Sequence, residues 1–189
     1  MRRYAIGVVG DVHLEPNKRR LAIALGQQLV DANYRIVSGG HGDLARCLAE
    51  GARKSRRYRD GDLIAILPGF DPLVAEENSD IVIATGFDHA RNLIVANSDA
   101  IIAIGGGAGT LSEIAFAWAL KRLILAYKVE GWSGQLAGTR IDSRSRYPML
   151  PDDRIYPVTK AAEAIQYLTK LLPKYNRRHT GIVVRKEAP

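Results

Sequence analysis

The chain carries a single cysteine, Cys47, in 189 residues. One thiol excludes an internal disulfide framework and any multi-cysteine metal site. No apolar run approaches the ~20 residues of a membrane-spanning helix. The basic start, Met1-Arg2-Arg3-Tyr4, leads into a short apolar stretch that ends at Asp11 without a cleavage-like site. No signal peptide is expected, and the cytoplasm is the expected compartment. Aromatic residues are scarce, at 7%. Few aromatics, Tyr58 and Tyr147 among them, lie at the basic clusters, which leaves little of the aromatic interleaving of a nucleic-acid binder. No Gly-Lys-Ser/Thr follows a glycine loop, so there is no P-loop. No serine is framed as G-x-S-x-G, so a hydrolase nucleophile elbow has no support. No internal repeat is present.

What remains is ordinary for a globular protein, with 47% hydrophobic and 25% charged residues. The length suits one domain over residues 1–175, followed by a basic tail over 176–189. The net charge is +7, and the 27 basic residues are mostly arginine. They cluster near 53–59, 140–146 and 174–178. Such a surface favours anionic partners, namely nucleotides, nucleic acid or phosphorylated cofactors, or simply keeps the protein in solution.

One stretch organises the chain. Residues 100–104 are apolar without a break, as in a strand buried on both faces of a parallel sheet. Gly105, Gly106, Gly107 and Gly109 follow at once. Leu111, Ile114, Ala115, Trp118 and Ala119 then recur at helical spacing. Strand, glycine loop and helix start together point backbone N–H groups and a helix dipole at one spot, where phosphate is favoured.

Around this stretch, apolar runs and helical periodicities alternate. Strands are predicted at 4–10, 34–38, 63–67, 81–85, 100–104 and 123–127. Helices are predicted at 17–33, at 43–54 with Asp43 as N-cap, at 88–97, at 110–121, and after a Thr159 cap. Residues 71–80 read as a loop and 131–151 as an irregular excursion or lid. The tail from Tyr175 is expected to be mobile, with 181–184 able to add an edge strand. This is the pattern of an α/β fold, Rossmann-like and doubly wound, with a mainly parallel sheet and helices on both faces. Ligands in such folds lie outside the carboxyl ends of the strands. Residues 10–13, 39–43, 86–92 and 105–113 should therefore gather at one edge.

Several side chains there could carry chemistry. Glu113 lies three residues after Thr110, which is either a capping box or a carboxylate at the mouth of the loop, able to meet a ribose hydroxyl or act as general base. Arg91 is either a bidentate phosphate clamp or a solvated helix-end arginine. Asn92 is open between the two roles. Gly39-Gly40-His41-Gly42-Asp43 forms a second glycine loop before a helix. His41 can be an acid, a base or a polar loop residue. Nothing in the spacing of Asp11, His13 and His41 specifies a metal site, and none is expected. Cys47, beside Leu44 and Leu48, reads as core. Phe116 and Trp118 point in different directions from their helix, so one can serve a subunit interface.

Taken together, Gly105-Gly106-Gly107-Ala108-Gly109-Thr110 through Glu113, preceded by Ala90-Arg91-Asn92 and by Gly39-Gly40-His41-Gly42, resembles a Rossmann-like superfamily. Its members include molybdenum cofactor carrier proteins, LONELY GUY-type (lysine decarboxylase-like) phosphoribohydrolases and, more distantly, the DNA-processing protein A family. The resemblance covers residues 4–127 and is closest to the carrier proteins and their relatives. It implies a homo-oligomer, dimeric or tetrameric, that binds a phosphorylated nucleotide-like or pterin ligand, either a molybdopterin-type cofactor or a nucleotide monophosphate. Gly106, Gly107, Gly109 and the Thr110 hydroxyl would hold phosphate. Arg91 and Asn92 would flank it, Glu113 would meet sugar hydroxyls, and Gly10, Gly39, Gly40 and His41 would line the opposite wall. The phosphoribohydrolase members imply an alternative, hydrolysis of the N-glycosidic bond of a nucleoside 5′-monophosphate by Arg91 and Glu113. Here Gly105 replaces that family's loop proline and Asn92 its lysine. The DNA-processing members imply a third reading, single-stranded DNA binding.

Overall fold

The computed structural model describes residues 2–178. Its strands are β1 (Ala5–Gly10), β2 (Arg35–Ser38), β3 (Leu63–Leu67), β4 (Ile81–Ala84), β5 (Ala100–Ile104), β6 (Leu123–Tyr127) and β7 (Tyr156–Val158). Its α-helices are α1 (Pro16–Asp31), α2 (Gly42–Arg53), α3 (Asn92–Ala96), α4 (Ala108–Ala119), α5 (Trp132–Leu136) and α6 (Ala161–Leu171). The strands form one sheet in the order β4-β3-β2-β1-β5-β6-β7. Every neighbouring pair is parallel. The order reverses between β1 and β5, which opens a crevice beyond their carboxyl ends.

The pattern of side chains explains this arrangement. All residues of β5 and β6 are buried, as unbroken apolar runs require when both faces are covered. Alternate residues serve opposite layers. Ile6, Val8, Ile102 and Ile104 join Leu25, Leu29, Leu48 and Leu168 on the side of α1, α2 and α6. Val9, Ile101 and Ala103 join Val95, Ile114 and Trp118 on the side of α3 and α4. Among the described residues, no helix is long and apolar enough to cross a membrane.

Several expectations are corrected. Residues 71–80 contain a 3-10 turn, Pro72–Asn78, opened by Asp71 accepting from the Leu73 amide. The 88–97 helix divides into a 3-10 turn, Asp88–Arg91, and α3. The Tyr156–Val158 strand was too short, and too interrupted by Pro157, to be read from periodicity. Lys160 rather than Thr159 holds the N-cap position of α6, while the Thr159 amide and hydroxyl both donate to Glu163.

The 131–151 excursion is not a loose lid. It begins with α5 and is then strapped down by Arg146. That guanidinium donates to both oxygens of Asp153 at 2.9 and 2.6 Å and to the carbonyls of Trp118 and Arg122. It also lies 3.6 Å over the Trp118 ring. Trp118 is therefore core, and Phe116 alone is left on the helix surface. The tail is likewise fixed where it begins. Tyr175 is buried and donates to Asp153 at 2.6 Å, and Arg178 pairs with Asp99. Residues 181–184 lie outside the described residues.

Helices α1 and α2 approach closely because glycine stands at their contact. A Cβ at Gly51 would lie 1.9 Å from the Ile23 carbonyl oxygen, and one at Gly26 would lie 2.3 Å from that of Leu48. Both obstacles are backbone and cannot rotate away. Gly51→Ala is expected to cost about 1–3 kcal/mol through overpacking, read as a fall in the urea midpoint. An unchanged midpoint would show that the helices separate without loss.

Candidate functional site

A cleft of about 300 Å³ opens beyond the carboxyl ends of β1, β2 and β5. Its walls include Gly10 and Asp11 at the end of β1, Ser38, Gly39 and His41 at the end of β2, His89, Arg91 and Asn92 before β5, and Gly107, Gly109, Thr110 and Glu113 after it. The four separated stretches do converge. Gly40 and Gly106 are the exceptions among the candidate residues. Gly40 is turned inward, where a Cβ would meet Ala65, Leu67 and Ala75. Gly106 lies behind the cleft wall.

The glycine loop has two halves with different duties. In the first, every polar backbone group of Gly105 and Gly106 is engaged. The Gly105 amide donates to the Ser133 hydroxyl at 2.7 Å, and that hydroxyl donates to the Tyr127 carbonyl at 2.8 Å. The Gly106 amide donates to Asp11 at 2.9 Å, and Asp11 also accepts from Lys18 at 2.6 Å. The Gly106 and Gly105 carbonyls accept from the Trp132 and Ser133 amides, each at 2.9 Å. Gly105 and Gly106 have φ of +68° and +99°, in the region that glycine adopts without penalty. Gly106 therefore has no amide to offer a ligand, contrary to the expectation for it.

The second half presents donors. Helix α4 begins at Ala108 with Gly107 as its cap residue. The amides of Gly107, Ala108, Gly109 and Thr110 have no partner among the described residues. These are the first-turn N–H groups that a helix cannot satisfy internally. They add to the positive end of the α4 dipole, which favours an anion. The Thr110 hydroxyl donates to the Gly10 carbonyl at 3.2 Å, so Thr110 offers its amide rather than its hydroxyl. With the cap at Gly107, the Thr110–Glu113 capping box does not form.

Glu113 instead faces Arg91, with Nη1 to Oε1 at 3.3 Å, and both side chains are largely buried. Burial pushes the Glu113 carboxyl up to about 7, although Arg91 pulls the other way. Burial also lowers the Arg91 guanidinium from its ordinary value, and Glu113 opposes that. Arg91 remains a cation at any working pH. Its Nε has no partner among the described residues, so the side chain keeps donors in reserve. Gly39 makes the room, since a Cβ there would lie 2.8 Å from Arg91 Nη2.

The remaining walls are more structural. Gly10 lets β1 lie against β5, where a Cβ would lie 2.2 Å from the Ile104 carbonyl oxygen. Asn92 is buried and donates to Ser112 at 2.9 Å. His41 Nδ1 lies 2.9 Å from the Gly39 carbonyl. A carbonyl only accepts, so Nδ1 carries the proton and a neutral ring leaves Nε2 as acceptor. Asp43 is not the N-cap of α2, because His41 holds that position. Its buried carboxylate accepts from the Leu14 amide at 3.0 Å and pairs with Arg19 and Arg46. The Leu14 amide, Arg46 and Arg19 hold it below the usual carboxylate range. His13 is exposed, and Cys47 is buried in the core, where burial raises its thiol.

Asp11 and Ser133 are the two site-shaping residues that sequence reasoning did not assign. Asp11 had a signal, as the first polar residue after β1 at the switch point. Ser133 had none, because only tertiary folding brings it to a loop 28 residues away.

The Glu113 carboxyl makes stability depend on pH. Its value in the folded protein lies above that of the unfolded chain. Between about 4.5 and 7 the folded state therefore holds the extra proton, and stability falls as pH rises through this window. Glu113→Gln copies the protonated form at every pH. The variant should match the parent near pH 4.5 and exceed its stability by about 1–3 kcal/mol at pH 8, read by urea denaturation at both pH values. An equal difference at both pH values would place the shift elsewhere.

Comparison with known proteins is consistent with this fold. An uncharacterized protein of Archaeoglobus fulgidus is 37% identical over 118 residues, which span 62% of this chain and 75% of that protein. The molybdenum cofactor binding protein of the phototrophic bacterium Rippkaea orientalis superposes with a TM-score of 0.73 at 26% identity, over 91% of this chain and 99% of that one. The Moco carrier protein of Chlamydomonas reinhardtii gives 0.71 at 25% identity, over 92% and 99%. Residues 3–153 match the model of the SLOG cluster4 family, and the chain belongs to that family.

Proposed function

We propose that the cleft holds a phosphorylated ring compound, a pterin or a nucleotide, and that the protein acts as a carrier of such a group. The observation behind this is the row of amides at Gly107, Ala108, Gly109 and Thr110 that have no partner among the described residues, with the buried cation Arg91 across the cleft. A phosphate monoester fits that donor set, because helix-start amides and a guanidinium are its two usual partners. Arg91 Nε is a buried donor without a partner among the described residues, and the Arg91 side chain lines the cleft. For a molybdopterin-type group, the residues from Gly107 to Thr110 would hold the phosphate. Ser38, Gly39 and His41 would face the ring. Such a group would bring its own redox chemistry, and the protein would supply orientation and shelter. Likeness to the Rippkaea and Chlamydomonas proteins supports this class of ligand. The reading includes a homo-oligomer, with Phe116 as the surface candidate left on α4, and a cytoplasmic location.

A second reading draws on Glu113. A carboxyl near pH 7 beside a fixed cation can exchange protons at neutral pH. With a nucleoside 5′-monophosphate in the cleft, water would add to the anomeric carbon as the bond to the base breaks, giving free base and ribose 5-phosphate. Two features set this chain apart from the phosphoribohydrolase motif. Gly105 has φ +68°, which a proline at that position cannot adopt. Asn92 is spent on Ser112 and is not a second cation.

Calorimetric titration with AMP and with a phosphorylated pterin is expected to show binding. Arg91→Gln should weaken it roughly ten- to a hundredfold, the range of a lost charge-assisted hydrogen bond. Binding of neither compound would overturn the carrier reading. Incubation with nucleoside monophosphates separates the second reading. Free base that disappears in Glu113→Gln would establish the hydrolase, and no release at all would remove it.

A further inference from the structure

A second cavity lies at the opposite end of the sheet, beside the amino ends of β1, β5 and β6. It measures about 280 Å³ and is lined in part by Arg2, Asn97, Ser98, Arg122 and Arg178. Asp99 is its one carboxylate among the described residues. That carboxylate is already crowded. It accepts from Arg2 at 2.7 and 2.6 Å and from the Ala5 amide at 2.9 Å, and it pairs with Arg178. Burial would raise it, but Arg2, the Ala5 amide and Arg178 hold it at about 2. It is ionised at every working pH, and its oxygens are spoken for.

Arg122 is left over. It is 3% exposed. One nitrogen, Nη2, donates to the Asn97 side-chain oxygen. Its Nε and Nη1 are buried and have no partner among the described residues. Burial, and then the nearby Arg178, lower its proton affinity, which marks an under-compensated cation. Among the described residues, three guanidinium groups share one carboxylate around this cavity, a surplus of two charges. The carboxyl end of α4, just before Arg122, supplies only about half a charge. A buried, unpaired cation is costly unless an anion completes its shell.

We propose that this cavity is a second anion site, distinct from the cleft, and that it takes a phosphate group bound by Arg122 between Arg2 and Arg178, with the Ser98 hydroxyl as a further donor. Planar guanidinium groups on several sides match the oxygens of phosphate. The site lies at the far edge of the sheet from the glycine loop and does not depend on what the cleft binds. Inorganic phosphate is the simplest probe.

The test is a titration of the full-length, 15N-labelled protein with potassium phosphate, ionic strength being held constant with potassium chloride. Saturable shifts are expected at the Ser98, Asp99 and Arg122 amides and at the Arg122 Nε–H. Arg178→Gln changes a side chain that is 41% exposed, so it should leave the fold intact and weaken these shifts by about tenfold, a loss of ~1.4 kcal/mol. Ser98→Ala should weaken them less. Any shifts at Gly107 and Gly109 report the cleft and should be untouched by either change. The proposal is overturned if the Ser98 and Arg122 signals do not move, if chloride alone moves them equally, or if Arg178→Gln leaves their affinity unchanged.

Discussion

The cleft depends on the fixing of Gly105 and Gly106. Two consecutive residues with positive φ form a bend that is readily deformed unless held. Here the Asp11 carboxylate, the Ser133 hydroxyl and the start of α5 engage all four of their backbone polar groups. Because this half of the loop is spent on its surroundings, the other half is aimed. Gly107, Gly109 and Thr110 line the crevice with amides that have no partner among the described residues, and no ligand is needed to order them. Such preorganisation lowers the entropic cost of binding. Asp11 follows β1 and Ser133 opens α5, so the loop after β5 is held from both sides of the switch point.

The same logic extends outward. Asp43 joins the loop after β1 to the start of α2 through the Leu14 amide and two arginines. The Arg146–Asp153 pair pins the long connection after α5 onto Trp118 and Tyr175. Each of these carboxylates is buried and each is matched by arginine, as buried charges must be. Only Arg122 breaks the pattern among the described residues.

Much of this was legible in the sequence. The unbroken apolar runs of β5 and β6 announced buried parallel strands, and strand–helix alternation then fixed the edge at which loops 10–13, 39–43, 86–92 and 105–113 converge. The glycine loop, Arg91 and Glu113 were visible as motif residues. What stayed hidden was partner choice. Thr110 and Glu113 have capping-box spacing, yet the helix begins three residues earlier than that box needs, so Glu113 is released to Arg91. Asp43 precedes an apolar helix like an N-cap, but a tertiary contact with Leu14 claims it. Phe116 and Trp118 stood open as interface candidates because nothing local reveals that Arg146, 28 residues on, covers the Trp118 ring. Local patterns report the period of a helix face. They do not report which distant side chain completes it.

The Glu113 carboxyl lies beside the cleft that an anion would enter. An anion entering the cleft raises the cost of a second negative charge beside it, so the carboxyl of a bound complex holds its proton more tightly than that of the empty protein. If the cleft takes an anion, ligand entry and proton uptake would become a single linked equilibrium around neutrality. The cleft would bind its anion more weakly as the medium turns alkaline, and release would hand a proton back to the solvent. A carrier built in this way would read the acidity of its surroundings without any moving part.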